Sequence, residues 1–247
     1  VSGSARLLPA ALVAAGVALG GYFIGHGFVA SRSVDRYVTV KGVAERSVSA
    51  DLALWPLQFV ATGDRLTSAQ ARIDESRARV LAFLNAHGID SSAVELQSLD
   101  VTDLLANPYR PQTSGTQPRF IITQTLMVRS SDPAKIRDAA QKVGSLVQAG
   151  VVLGGAGGGY GRGSGPTYLF TRLNDVKPAM IAEATANARE AAQKFAADSK
   201  SRLGGIRDAN QGIFVILPRD QAPGITEESQ IAKTVRIVAT VDYYLKD

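Results

Sequence analysis

The sequence predicts an α+β fold: tandem strand–helix–strand–strand units with mainly antiparallel sheets and packed helices, preceded by one N-terminal transmembrane helix. Three observations predict it. Residues 7–30 carry no Asp, Glu, Lys or Arg. Beyond residue 36, segments alternating apolar and polar residues take turns with segments whose apolar residues recur every three to four positions. Strand pairs are joined by loops, which favours antiparallel sheets with helices packed on one face.

The run from Leu7 to Ala30 makes about 36 Å of helix, enough to cross a hydrocarbon layer of about 30 Å. A cleavable signal peptide is the competing reading. Its apolar core is usually shorter, about 7–15 residues, and the small-residue site at Val29-Ala30-Ser31 is weakly drawn. An uncleaved anchor over residues 1–31, followed by a folded domain over 32–247, is the expectation. Gly16 with Gly20, and Gly21 with Gly25, place small residues four apart on a helix face. Such pairs let two helices pack closely in lipid, although glycine is also common in membrane helices generally. Of the flanking charges, Arg6 precedes the run while Arg32 and Arg36 follow it, which taken alone favours a cytoplasmic domain.

In the folded domain, 36–43 and 47–61 are rich in β-branched and aromatic residues. Pro56 predicts that the second of these strands is an edge or carries a bulge. Over 64–87, Leu66, Ala69, Ile73, Val80 and Leu84 share a helix face that Gly88 ends. Strands fit 93–104 and 119–130, joined by a proline-bearing loop. Ser131 or Asp132 followed by Pro133 starts a helix with Ile136, Ala139, Ala140, Val143 and Val147 on its apolar face, closed by Gly150. The glycine-rich stretch 154–165 leads to a strand at 166–173. An alanine-rich helix over about 174–203 follows, with Val176, Met180, Ala184, Ala188, Ala191 and Phe195 inward and Gly204-Gly205 as its stop. Strands at 212–217 and 233–245 complete the chain, the last alternating Val235, Ile237, Ala239, Val241, Tyr243 and Leu245 with polar residues.

Composition narrows the chemistry. The chain is 45% hydrophobic and 20% charged, as folded domains are. There is no cysteine, which excludes disulfides, thiolate metal sites and cysteine nucleophiles. His26 and His87 are the two histidines, too few for a histidine metal cluster. The net charge of +5 is spread among acidic residues, and aromatics make up 6%, a pattern of solvated surface rather than of nucleic-acid binding.

Specific motifs fail as well. The glycine run lacks the Gly-Lys-Ser/Thr of a phosphate loop and the spacing of a dinucleotide fingerprint, and it leads into a strand. Asp74-Glu75 and Glu227-Glu228 are adjacent and do not converge on one helix face. Asp100 and Asp103, three apart in a strand, point to opposite sides. His87 stands at a helix end with no nucleophile motif nearby, so it is read as a partner of the helix dipole. Trp55 and Tyr109 are read as packing residues. No catalytic, cofactor-binding or metal-ligating residue is assigned, no cofactor is expected, and no enzyme activity is predicted.

Val38-Thr-Val-Lys-Gly42, followed by Val48-Ser-Ala-Asp51-Leu-Ala53, resembles the opening signature of the SIMPL domain family of bacterial envelope proteins. That signature is a short strand to glycine and then V-x-P-D-x-A. The stretch SSDPAKIRDAAQKV, the alanine-rich helix from Ala182 to Leu203-Gly204-Gly205 and the C-terminal V-x-I-V-A-T-V-x-Y-x-L pattern extend the likeness over about residues 36–246. Ala50 departs from it, standing where the family usually has proline, and the glycine-rich stretch is longer than in the pattern.

The resemblance implies an α+β domain on the periplasmic side of the inner membrane, outweighing the flanking arginines. It also implies no assigned activity, no functional residues to carry over, and a tendency to form ring or channel-like homo-oligomers. The expected function is thus a membrane-anchored structural or interaction protein that self-assembles. Its partners would be further copies of itself and the lipid bilayer, not nucleic acid. The alternative is an envelope binding module for a small ligand or a partner protein.

Overall fold

The computed structural model describes residues 14–25, 36–106, 118–154 and 165–246. It shows an α+β fold with antiparallel strand pairing. Helix α1 covers 14–25. Strands β1 (Tyr37–Ser49) and β2 (Leu52–Gly63) precede α2 (Leu66–Ala86). Then come β3 (Val94–Asp103), β4 (Phe120–Ser130), α3 (Pro133–Gln141), α4 (Gly144–Gln148) and the short strands β5 (Val152–Leu153) and β6 (Thr167–Leu169). Helix α5 (Leu173–Asp198) is followed by β7 (Arg202–Asn210), β8 (Val215–Pro218) and β9 (Ala232–Lys246). Among the described residues, no helix is long and apolar enough to cross a membrane. Residues 7–13 and 26–30 of the expected anchor lie outside the described residues, as does most of the glycine-rich stretch.

The chain forms two compact units. One comprises Ala44–Ala182 and Ile213–Ile237; the other takes in Glu183–Gly212, Val238–Asp247 and the chain up to Val43. Strands β1 and β9 and helix α5 contribute residues to both.

The first unit holds a five-stranded sheet in the order β3-β4-β2-β5, with β6 also on β2. Alternation along β2 turns Ala53, Trp55, Leu57, Phe59 and Ala61 inward. Their core includes Ile73 and Val80 of α2 and Ile122, Leu126 and Val128 of β4. Burying a side chain of this size contributes about 1.5–3 kcal/mol.

The sheet corrects the reading of Pro56. Strand β2 is interior, not an edge: β4 flanks its whole length, while β6 pairs with Leu52–Leu54 and β5 with Phe59–Val60 on the other side. Pro56 sits in the gap between those two short partners. The Gln58 carbonyl accepts from Gly154 N at 2.8 Å, and backbone groups two residues apart in a strand point the same way. The N–H that proline lacks would therefore have faced the gap, where no ladder bond is lost.

Helix α2 matches its expected stripe with one exchange: Ala69, Ile73, Val80 and Leu84 are buried, Leu66 is exposed, and Ser76 and Phe83 join the inner face. Gly88, at φ 74°, ends it. Asp132 caps α3 by accepting from Lys135 N, with Pro133 in its first turn. The expected single helix to Gly150 is two, broken before Gly144. The break shifts the phase, so Leu146 is buried and Val147 exposed.

In the second unit, β9 lies between β1 and β7. The long C-terminal strand is thus interior too. The alanine-rich helix presents Ala184, Ala188, Ala192 and Ala196 inward at a strict spacing of four, leaving Phe195 exposed. It ends earlier than the glycine pair suggested. Lys200 takes φ 53°, and Ser201 N donates to Ala196 O at 2.8 Å, a left-handed helix stop made without glycine. Gly204 and Gly205 instead lie in β7, whose pairing to β9 shifts register after Leu203. A Cβ on Gly204 would lie 2.9 Å from Tyr244 O, so the strand approaches β9 closely only as glycine.

Candidate functional site

The residues that carried the family signature turn out to hold the scaffold. A Cβ on Gly42 would lie 1.8 Å from the Ala184 carbonyl oxygen and 2.5 Å from Ala188 N. Helix α5 therefore rests on β1 with no space for a side chain between them. Asn187 Nδ2 donates to Val43 O at 2.8 Å and fixes this contact. Asp51, at the corner after β1, accepts from Thr171 N at 2.8 Å and from Thr171 Oγ1 at 3.1 Å, fastening the turn before α5. Ala53 is fully buried. Ala50, the departure from the pattern, donates its N–H to Ile231 O at 2.8 Å, a bond that proline could not make.

The carboxylates weighed as acid–base pairs are dispersed. Asp74 accepts from Gln70 Nε2, and Glu75 pairs with Arg79 at 2.6 Å. Asp103 accepts from Arg119 Nη2 at 2.9 Å and from Leu105 N at 3.0 Å. The Arg119 hydrogen bond holds the Asp103 carboxyl below its ordinary range. His87 lies just past the end of α2, its Nδ1 2.8 Å from Phe83 O and its ring against Phe83. Trp55 is buried in the core; Tyr109 and His26 lie outside the described residues. Among the described residues, no three His, Cys, Asp or Glu side chains are grouped to hold a metal ion.

One charged pair escaped sequence reading. Lys233 is fully buried, bonded to the Glu227 carboxylate and to the Glu227 carbonyl oxygen. Its signal was present: the inward row Val235, Ile237, Ala239, extended back by two, lands on Lys233. A buried ammonium needs a compensating anion, and the 3-10 turn Glu227–Ser229 supplies it.

The glycines assigned to anchor packing lie on α1. A Cβ on Gly16, Gly20, Gly21 or Gly25 would meet nothing within 4 Å. Val17, Leu19, Tyr22, Phe23 and Ile24 of the same helix are all more than half exposed.

Two open pockets occur in the Ala44–Ala182/Ile213–Ile237 unit. One, of about 350 Å³, lies beside Arg72 and Arg79; both cations are engaged, Arg72 by Thr62 O at 2.8 Å and Arg79 by Glu75. The other, of about 380 Å³, is lined by Arg137 of α3, Tyr168 of β6, Arg219-Asp220 after β8, and Ser229 to Ala232 leading into β9.

No curated protein matches the chain. The model of the SIMPL family, described as "Protein of unknown function (DUF541)", matches residues 38–242. That span opens at Val38 of the glycine-bearing strand, takes in the Asp51 corner and the alanine helix, and runs into the last strand. The chain belongs to the SIMPL family.

Proposed function

We propose that the protein is a membrane-anchored structural or interaction protein, facing the periplasm, that self-assembles into a closed homo-oligomer of ring or channel-like form. The observation that carries this reading is α1. Its large apolar side chains are exposed along the whole described helix, and a helix apolar all round is stable only when lipid or other helices surround it. Together with the uncharged sequence on either side, residues 7–30 supply the length of a span. The open space at its four glycines gives a second helix room to pack closely. No chemical step belongs to this function, and the periplasmic side follows from the family resemblance.

A second contact would come from β3, the edge of the five-stranded sheet. Its Leu96, Leu99 and Val101 are opposite Leu126, Gln124 and Ile122, which are buried, yet are themselves 53%, 46% and 51% exposed. An edge of ten residues with an uncovered apolar row calls for a partner or a cover. Strand β2, for which the sequence predicted an edge or a bulge, is interior and offers no such row.

Light scattering of the full chain in mild detergent tests the proposal. A single large species is expected, and it should shrink or become polydisperse when Gly20 and Gly21 are both replaced by isoleucine. A monomer, or an assembly indifferent to both that change and Leu99→Arg, ends the two-contact reading. An export-dependent reporter fused at the C-terminus should be active if the domain faces the periplasm.

A further inference from the structure

The pocket between α3, β6 and the segment entering β9 is built rather than incidental. Gln230 pins its rim: its Oε1 accepts from Asp220 N at 3.1 Å and its Nε2 donates to Asp220 O at 3.2 Å. Arg219 N also donates to Ala232 O, so residues 219–220 are held at one side of the opening by three bonds. Arg137 of α3 lines the same pocket, and Ile231, packed on the core cluster, gives an apolar lining.

Tyr168 supplies the feature that points to a ligand. The residue is only 6% exposed and lines the pocket, yet no hydrogen bond joins its hydroxyl to any described residue. Among the described residues the buried hydroxyl without a partner is that of Tyr243, so the Tyr168 hydroxyl keeps access to solvent while its ring is buried, and it is open to an incoming partner. Burial pushes its pKa up, so it remains a neutral donor through the physiological range. Among the described residues, the two guanidinium groups are held only by their sequence neighbours: Arg137 by Asp138 at 3.2 Å and Arg219 by Asp220 at 2.9 Å. All four of these side chains are at least half exposed. Exposed pairs of this kind contribute about 0–1 kcal/mol, so an incoming anion can take over the guanidinium donors at little cost.

We propose that this pocket binds a small organic oxyanion, a carboxylate or a phosphate monoester on a compact apolar body, through Arg137, Arg219 and the Tyr168 hydroxyl. The forked guanidinium donors match either head group, and Ile231 and the tyrosine ring receive the apolar part. This goes beyond the assembly reading and gives the binding-module alternative a ligand chemistry. Particle size and ligand binding are separate measurements, so each idea stands or falls alone.

Calorimetric titration of the full chain in mild detergent with benzoate, phenyl phosphate and neutral benzamide tests it. Saturable binding of at least one anion is expected, with none of benzamide; the anion preferred identifies the head group. Tyr168→Phe keeps the buried ring and should weaken binding about tenfold, as loss of a hydrogen bond to a charged group does. Arg219→Gln should weaken it at least as much, and unchanged melting of both variants separates binding from folding. Equal binding of benzamide, binding unaffected by both substitutions, or no saturation by either anion at about 10 mM overturns the proposal.

Discussion

Around Phe59 the unit formed by Ala44–Ala182 and Ile213–Ile237 buries large side chains, with Trp55, Ile73, Ile122 and Leu126 in one cluster. At Gly42 the other unit, whose cluster of Val38, Val40, Ala188, Ala192, Val241 and Tyr243 is smaller, puts no side chain between helix and strand: a glycine meets the backbone of Ala184 and Ala188. In the first case α2 and the sheet are spaced by the bulk they enclose, and the stabilisation is apolar area removed from water. In the second, helix and strand touch directly, and the stabilisation is close contact between main chains that any added atom would push apart. The two regions should therefore fail in opposite directions, one to removal of atoms and the other to addition.

Phe59→Ala should give the largest loss, about 3–5 kcal/mol of unfolding free energy, through lost burial and the cavity left behind. Gly42→Ala adds one methyl group against a wall of backbone and should cost about 3 kcal/mol, the upper range for overpacking. Urea midpoints of the two variants measure both. A Gly42→Ala loss below about 0.5 kcal/mol would mean that α5 can withdraw freely and that close approach does not explain the signature glycine.

Lys233 sharpens the comparison, since it is a charge inside the large-side-chain unit. Glu227→Ala leaves a buried ammonium with only the backbone carbonyl as partner, and a loss of about 2–3 kcal/mol is expected. Lys233→Met removes the charge and fills similar space, so its stability should stay within about 1 kcal/mol of the parent. If the two substitutions cost the same, the pair acts as a net stabilising bond rather than as a mutual requirement.

The smallest effect is expected at the surface. The Arg119 hydrogen bond depresses the folded-state pKa of Asp103 below its ordinary 3.8. The stabilisation is then fully present above that ordinary value and is lost as pH falls through the lower folded value. Asp103→Asn should lower the midpoint slightly at neutral pH and converge with the parent in acid, flattening the acid limb of the stability profile below about pH 4. A variant whose acid limb parallels the parent's would remove Asp103 from the account.

What the sequence by itself determined were the features written into neighbouring residues. The alternation of the last strand, the stripe of α2, the Asp132-Pro133 start and the Gly88 stop each depend on side chains within a few positions of one another. So does the family signature, whose glycine and aspartate were visible as letters before their contacts were known. Tertiary structure alone decided the rest. Whether Pro56 marks an edge depends on two short strands from beyond residue 150 that leave it a gap. Whether Gly204 stops a helix or lies in a strand depends on Tyr244 pressing against it. Lys200 could adopt a left-handed turn because the helix end and β7 fix it there, at a cost no local propensity favours. The pocket at Tyr168 gathers residues from four separate stretches of chain. Local pattern records what a residue prefers, but which face is covered, and by what, is settled only when distant segments meet.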